Sequence, residues 1–374
     1  MKKLANRKKR ILLNIARKKF ERKVRFRNNK REYRKNIQGF SQKDLRRRRI
    51  LDEHARQIER KYATYRKITA PKCLSMIENP EGTLDFISSL ERALKSRKKV
   101  FVVLKHVDKI ANGAIIVLLS IMIKFKNQNV SFNGDQPKKR DARLALRNSG
   151  FFEHLYENQS NQTTITIKGH KDIFTHANKT VDSELSDQII SAVSKMIWGS
   201  PKRCPGVQRT YLELMQNTNN HASLNGPNEH HWYTTVTYNK EKNKACFSFI
   251  DYGIGIIESI NKNEKGKFWR SLGKIFDKLK PRDDGDFLRL LLDGSVHKAA
   301  SEYYRGKGLP GIYKAYQDNK ISNLVIITND AMADCQNSVF KTLNNKFVGT
   351  YIYWELNENN THLNYDYNFN SKGL

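Results

Sequence analysis

Four cysteines in 374 residues, eight prolines and no apolar run of membrane-spanning length set the first limits on this chain. Cys73, Cys204, Cys246 and Cys335 stand far apart and none belongs to a CxxC pair. That spacing argues against a zinc ribbon or a disulfide framework and fits a reducing, cytoplasmic setting. The longest apolar run, "GAIIVLLSIMI" at 113–123, is about half of the roughly 20 residues that cross a bilayer, so a soluble protein is expected. The N-terminal "ILLNIA" is too short for the core of a secretory signal, and basic residues follow it at once. There is no internal repeat and no GxxxxGK[ST], so the P-loop route to nucleotide binding is absent. Acidic residues are scarce: 37 Asp and Glu face 69 Lys and Arg, a formal charge of +32.

That charge is uneven. Residues 1–67 hold 27 Lys and Arg against 6 Asp and Glu, a surplus of 21. The segment has no proline and a single glycine, Gly39. A helical arm is expected, broken at "QGFSQKD", where Gly39 ends one helix and Ser41 caps the next. Such a block seeks a polyanion. With Phe26, Tyr33 and Phe40 available for stacking, the arm reads as a nucleic-acid binder that is blind to sequence and sensitive to salt. A merely solvated arm is the competing reading. His54, in "LDEHARQIER", is assigned to the same arm.

From 68 to about 165 the pattern alternates. "KKVFVVLKHV" reads as a buried strand, "ANGAIIVLLSIMIKFKNQ" as a buried helix and "NVSFNG" as a second strand. "QPKKRDARLALRNSGFFEHL" reads as an amphipathic helix ended by Gly150. This βαβα order predicts a parallel sheet with a right-handed crossover. The order, and above all the closing "ALRNSGFFEHL", resembles the STAS domains of anti-sigma-factor antagonists. Those domains usually carry a phosphorylatable serine just before the first long helix. Here the place is held by Ala111, Asn112 and Gly113, so the resemblance implies a docking or oligomerisation domain rather than a phospho-switch.

Residues 166–374 carry the chemistry. "SELSDQIISAVSKMIWG" is an amphipathic helix with Ser183 as its expected cap, and "GVQRTYLELMQNTNNHA" is a second helix. On the latter, Glu213 and Asn217 share a face, with Asn220 and His221 beside them, while Tyr211, Met215, Thr218 and Ala222 lie opposite. A carboxylate, two amides and an imidazole are costly to cluster against a sheet unless a polar ligand fills the space. A hairpin, "WYTTVTY-NKEKNK-ACFSFID", leads into Asp251-Tyr252-Gly253-Ile254-Gly255. A polar insertion over 257–304 follows, then "YYRGKGLPGIYKAY" opening a helix, and a last hairpin, "NLVIITND…FVGTYIYWEL". His230 and His231 read as loop, Trp198 and Trp269 as packing anchors.

Taken in order, ExxxN on a helix, DxGxG after a hairpin, GxGL into a helix and a strand starting Gly349-Thr350 resemble the GHKL superfamily of ATP-binding domains. That family includes histidine kinases, anti-sigma serine kinases, gyrase-type ATPases, MutL and Hsp90. The match covers roughly residues 180–356. It implies an α/β sandwich with a mixed sheet (the Bergerat fold) and a set of roles. Glu213 would be the base toward water or a hydroxyl, and Asn217 a ligand of Mg²⁺. Asp251 would accept a hydrogen bond from the adenine amino group, and Gly253 and Gly255 would let the backbone run close beneath base and sugar. Gly306, Gly308, Leu309 and Gly311 would cradle the phosphates, with Arg305 and Lys307 in reach of them. Thr350 would sit on the adenine side. Asn220 stands where many kinases of the family have lysine, a contact Lys307 can replace, and the insertion 257–304 becomes the nucleotide lid.

Three readings follow from the resemblance. The first is a Mg-ATP-binding switch or ATPase whose lid and STAS-like domain control a protein partner while the arm holds nucleic acid. The second is a serine/threonine kinase of the anti-sigma type. The third is a nucleic-acid-binding module with a structural ATP site. Only about 18 residues follow the last expected strand, so a strand-passing or Hsp90-like machine, which carries a transducer domain there, is not the expected branch. Bacterial stress signalling and defence against phage both accommodate such an architecture.

Overall fold

A computed structural model of the chain describes residues 61–149, 151, 173–176, 181–221, 232–262, 280–296 and 308–363, with residues 18, 21–27, 46, 49, 50, 52, 53, 56, 57 and 60 of the basic segment. The side chains of 219–221, 173–176 and 261–262 lie outside the description. Residues 1–64 and 65–374 form two separate compact units. In the first, residues 21–27 are helical and exposed, as their near-continuous charge requires.

The second unit begins with β1 (Arg66–Thr69) and the two-residue β2 (Cys73–Leu74). Helix α1 (Pro80–Lys95) follows; Asn79 caps it by accepting from the Gly82 N–H at 3.3 Å, and Pro80 takes the first position, where a missing N–H costs nothing. Then come β3 (Val100–Val103), β4 (Lys109–Ile110), α2 (Asn112–Asn127), β5 (Phe132–Gly134) and α3 (Arg140–Asn148). Strands β1, β3 and β5 pair in parallel in that order, as the alternation predicts. Helix α3 ends at Asn148 with Ser149 as its cap, and the expected terminator Gly150 lies outside the described residues.

The chain continues with β6 (Ile173–His176), α4 (Ser183–Trp198), α5 (Pro205–His221), β7 (Trp232–Asn239), β8 (Lys244–Asp251), α6 (Ile256–Lys262), α7 (Asp284–Leu292), α8 (Gly308–Gln317), β9 (Ser322–Asp334) and β10 (Val339–Asn357). Its five strands run in the order β6-β7-β8-β10-β9. Every pairing is antiparallel, which corrects the mixed sheet expected for this region. The cause is connectivity: β7–β8 and β9–β10 are hairpins, and β10 inserts between β8 and β9. The protein is therefore mixed α/β, with its parallel and antiparallel pairings in separate sheets. The cap of α4 is Asp182, not Ser183: the Asp182 carboxylate accepts from the Leu185 N–H at 2.8 Å, so Ser183 is already helical.

Alternation along the antiparallel strands places one core on each face. On one face Trp232, Phe247, Phe249, Ile326, Ile352 and Trp354 pack against α4, α5, α7 and α8. On the other, Tyr233, Ile250, Val325, Ile327 and Tyr351 pack against α1 and α2, which in turn cover the parallel sheet. Helix α2 is buried on nearly all sides, from Gly113 to Met122 and at Phe125, because it lies between two sheets; its uninterrupted apolar sequence requires that placement. The two regions that composition separates at 165 thus share a core.

Candidate functional site

A cleft of about 740 Å³, its open mouth included, lies among α5, the end of β8, α6, α7 and the start of α8. Leu214, Ile260, Leu291 and Ile352 form its apolar bed; Asn217, Asp251 and Thr350 supply polar groups; Gly253, Gly255 and Gly308 bare the backbone.

Asp251 ends β8 opposite Thr350 of β10. Its Oδ1 accepts from the Gly253 N–H at 2.6 Å, and the Thr350 side chain is a second hydrogen-bond partner. Burial nevertheless pushes its carboxyl up to about 6, because these two contacts offset only part of the lost hydration. Behind it, the Thr350 and Thr328 hydroxyls lie 3.2 Å apart, and Thr328 Oγ1 accepts from the Ile256 N–H at 2.8 Å. Asn329, buried on β9, completes the support. Its Oδ1 accepts from the N–H groups of Ile257 and Glu258 at 3.1 and 3.2 Å, and its Nδ2 donates to Ile254 O at 2.9 Å. Asn329 thereby caps α6 from a neighbouring strand. Gly255 has φ +82°, and a methyl there would lie 2.5 Å from Asn329 Oδ1, so this turn demands glycine on two counts.

Glu213 and Asn217 come from α5, one turn apart. Both face the first residue of α8: a methyl built on Gly308 would lie 2.9 Å from Glu213 Oε2 and 3.4 Å from Asn217 Nδ2. The described part of α8 begins at this cleft. Arg209, one turn before Glu213, approaches its Oε1 at 3.8 Å. Gly311 packs there too: a methyl on it would stand 2.8 Å from Arg209 Nη2, so its smallness serves the close approach of α8 to α5.

Of the residues singled out from the sequence, Asn217, Asp251, Gly253, Gly255, Gly308, Leu309 and Thr350 line one cleft, and Glu213 stands at its edge. The α5 backbone reaches Asn220 and His221, but their side chains are not described, and Arg305, Gly306 and Lys307 lie outside the described residues. Within 257–304, α7 belongs to the core rather than to a cover, since Phe287, Leu288, Leu290, Leu291 and Leu292 are buried. Thr328, Asn329 and Arg209 were missed; only the turn-prone "TND" at 328–330 hinted at the first two. Trp198 is a packing anchor as expected, set against the His362 ring at a tilt of 32° and donating to Glu358 O at 3.3 Å.

Comparison with protein-family models, with curated proteins and with solved structures gives no match to this chain. The reading of the site therefore rests on its geometry and chemistry.

Among the described residues no three His, Cys, Asp or Glu side chains converge to hold a metal ion. A hard divalent ion is compatible with that: Mg²⁺ keeps much of its water and takes one or two protein oxygens together with substrate phosphates. The Asn217 amide beside the start of α8 suits that single-ligand role.

Proposed function

We propose that this protein binds Mg-ATP in the cleft and works as a GHKL-type nucleotide switch or ATPase. The observation that carries the reading is the convergence in one cleft of a buried carboxyl, a helix amide and a glycine-started helix, drawn from three distant parts of the chain. The purine occupies the apolar bed with its amino group on Asp251 and its edge near Thr350. The phosphates run toward the first turn of α8, where N–H groups favour anions. Asn217 would hold Mg²⁺, and the ion would supply positive charge to the phosphates. Glu213, held from behind by Arg209, orients and accepts a proton from the attacking water.

The switch reading is favoured over a serine kinase acting on its own STAS-like region. Ala111-Asn112-Gly113 offers no hydroxyl, and Gly113 is pressed against the Tyr351 ring on the inner side of the sheet. The same packing supplies a route for signalling: Asp251 faces the cleft, while the next residue, Tyr252, bonds to Ser120 of α2 on the opposite face. The basic segment 1–67 is assigned to nucleic acid without sequence preference, and the region 68–165 or the insertion to a protein partner.

Calorimetry with Mg-ATP tests the site. Wild-type protein gives a saturable signal, Asp251→Asn and Asn217→Ala weaken it at least tenfold, and Glu213→Ala retains binding while losing phosphate release. Absence of any heat with wild-type protein overturns the reading. Transfer of labelled phosphate to an added protein, with no free phosphate formed, would instead establish the kinase.

A further inference from the structure

The surplus of positive charge does not stop at the basic segment. Residues 68–151 carry 15 Lys and Arg against 7 Asp and Glu, and the distribution within the parallel sheet is lopsided. At the edge where the strands start, the turn between α1 and β3 brings Arg97, Lys98 and Lys99 to the surface, all exposed. The Arg66 N–H donates to Lys99 O at 2.9 Å, so Arg66 sits on the neighbouring strand beside Lys99. Arg97 Nη2 donates to Gln128 O at 3.1 Å, which draws in the turn after α2 and with it the exposed Lys126. No Asp or Glu occurs from Arg92 to Val107. Glu91, the nearest in sequence, is half-buried and interacts with Lys124 and Lys95.

Two of these cations have a purely local role. Lys95 and Lys126 end helices, where positive charge complements the helix dipole. Arg97 and Lys98 close α1 through their backbone N–H groups, which donate to Leu94 O and Ala93 O at 2.8 and 2.9 Å, but this uses no side-chain charge, and among the described residues no carboxylate pairs with Arg97, Lys98 or Lys99. Arg97 also holds a left-handed backbone, φ 48°, a conformation that glycine or asparagine adopts at lower cost. The turn itself therefore does not call for arginine. The opposite edge of the same sheet differs. There Lys105, Lys138, Lys139 and Arg140 are interspersed with Asp108, Asp135 and Asp141, and Asp135 braces the loop by accepting from the Lys105 N–H at 2.9 Å.

We propose that the strand-start edge, centred on Arg97, Lys98 and Lys99 with Arg66 beside them, is a second phosphate-backbone contact surface for nucleic acid, distinct from the basic segment. Cations of one sign on a rigid edge match a phosphate chain, which needs charge and spacing but no base-reading groups. A membrane surface fits less well, because lodging in a bilayer boundary uses exposed apolar side chains. Within the α/β unit the exposed large hydrophobic residues among those described, such as Leu144, Val339 and Val348, lie elsewhere. The surface does not depend on the ATP reading.

The test uses the full chain and mixed-sequence duplex DNA, with affinity measured between about 50 and 200 mM salt. Arg97→Gln/Lys98→Gln/Lys99→Gln is compared with a charge-matched control at the other edge, Lys138→Gln/Lys139→Gln/Arg140→Gln. Removing one cation from a phosphate reduces the slope of log affinity against log salt by about 0.9, so the first variant should be shallower by about 2–3 and the control nearly unchanged. The double variant Lys98→Gln/Lys99→Gln, which leaves the Arg97 bend intact, should be shallower by about 2. An unchanged slope in the triple variant, or an equal fall in the control, overturns the proposal. So does a variant that keeps its DNA slope but loses binding to phosphatidylserine vesicles.

Discussion

The carboxyl of Asp251 costs stability in the absence of a ligand. With its folded value near 6 and an ordinary value of 3.8, the folded protein binds more protons than the unfolded chain between those limits. Stability therefore falls as pH rises from about 4 to about 6, and above that the full penalty persists. Two units correspond to about 2–3 kcal/mol. Asp251→Asn removes that penalty while leaving an amide of the same size, so the variant should melt higher than wild type above pH 6 and match it near pH 4. The same substitution should weaken nucleotide binding at least tenfold, and calorimetric scans across pH together with a binding titration check both halves. A variant less stable than wild type at pH 7.5 would show that the carboxylate is held more favourably than its burial indicates. Gly255→Ala is the complementary case. Its positive φ and the close Asn329 amide leave no room for a methyl, so α6 loses its cap; a loss of about 1–3 kcal/mol in denaturant unfolding is expected. Asp251 and its glycines were legible in the sequence because DxGxG is contiguous. Thr328 and Asn329, which hold that turn in place, lie more than seventy residues away, and no local pattern announces a hydrogen bond between strands.

Among the elements, legibility followed the strength of the apolar period. Helices α2, α4 and α5 and the β7–β8 hairpin were readable, since each presents a long, regular apolar face. Strand β1 was not: in "RKIT" only Ile68 is buried, and charge conceals a strand whose pairing with β3 is entirely a matter of backbone. Strands β9 and β10 run further than expected, through Ala331–Asp334 and Val339–Lys346, because register shifts around Phe347 let the ladder continue past an irregularity. What no reading of separate segments could reveal is that α2 lies against the back of the cleft. The Tyr252 hydroxyl bonds to Ser120, and Lys124 Nζ stands 3.5 Å above its ring. This is a buried polar cluster within an apolar interface, and breaking it leaves the Tyr252 hydroxyl only a long contact to Val117 O at 3.5 Å. Ser120→Ala should cost about 1–2 kcal/mol on that account. If α2 senses the cleft, the variant should also shift Mg-ATP affinity, although Ser120 lies on the far face of the sheet from the cleft. A stability loss with unchanged affinity would reduce the Tyr252–Ser120 bond to simple packing.

For the whole molecule, the boundary between the basic segment and the α/β unit decides how independent the two proposed activities are. Composition places that boundary at 67, but the Arg66 N–H bonds to Lys99 O and Arg66–Thr69 pair with Val100–Val103, so a cut at 67 would remove half of the pairing that attaches the edge strand β1. The compact unit begins at Tyr65. A chain starting at residue 65 should therefore keep the melting temperature and Mg-ATP affinity of the full chain, whereas one starting at 68 should melt lower through loss of the β1 ladder. The nucleic-acid outcome separates the two basic surfaces. Removing 1–64 takes away most of the counterion release and most of the affinity, yet the salt slope should not fall to zero, because the strand-start edge remains. The residual slope should then vanish when Arg97, Lys98 and Lys99 are replaced by glutamine in the shortened chain. A shortened chain with no salt-dependent binding at all would assign every phosphate contact to the first 64 residues and leave the sheet edge with a role in solubility alone.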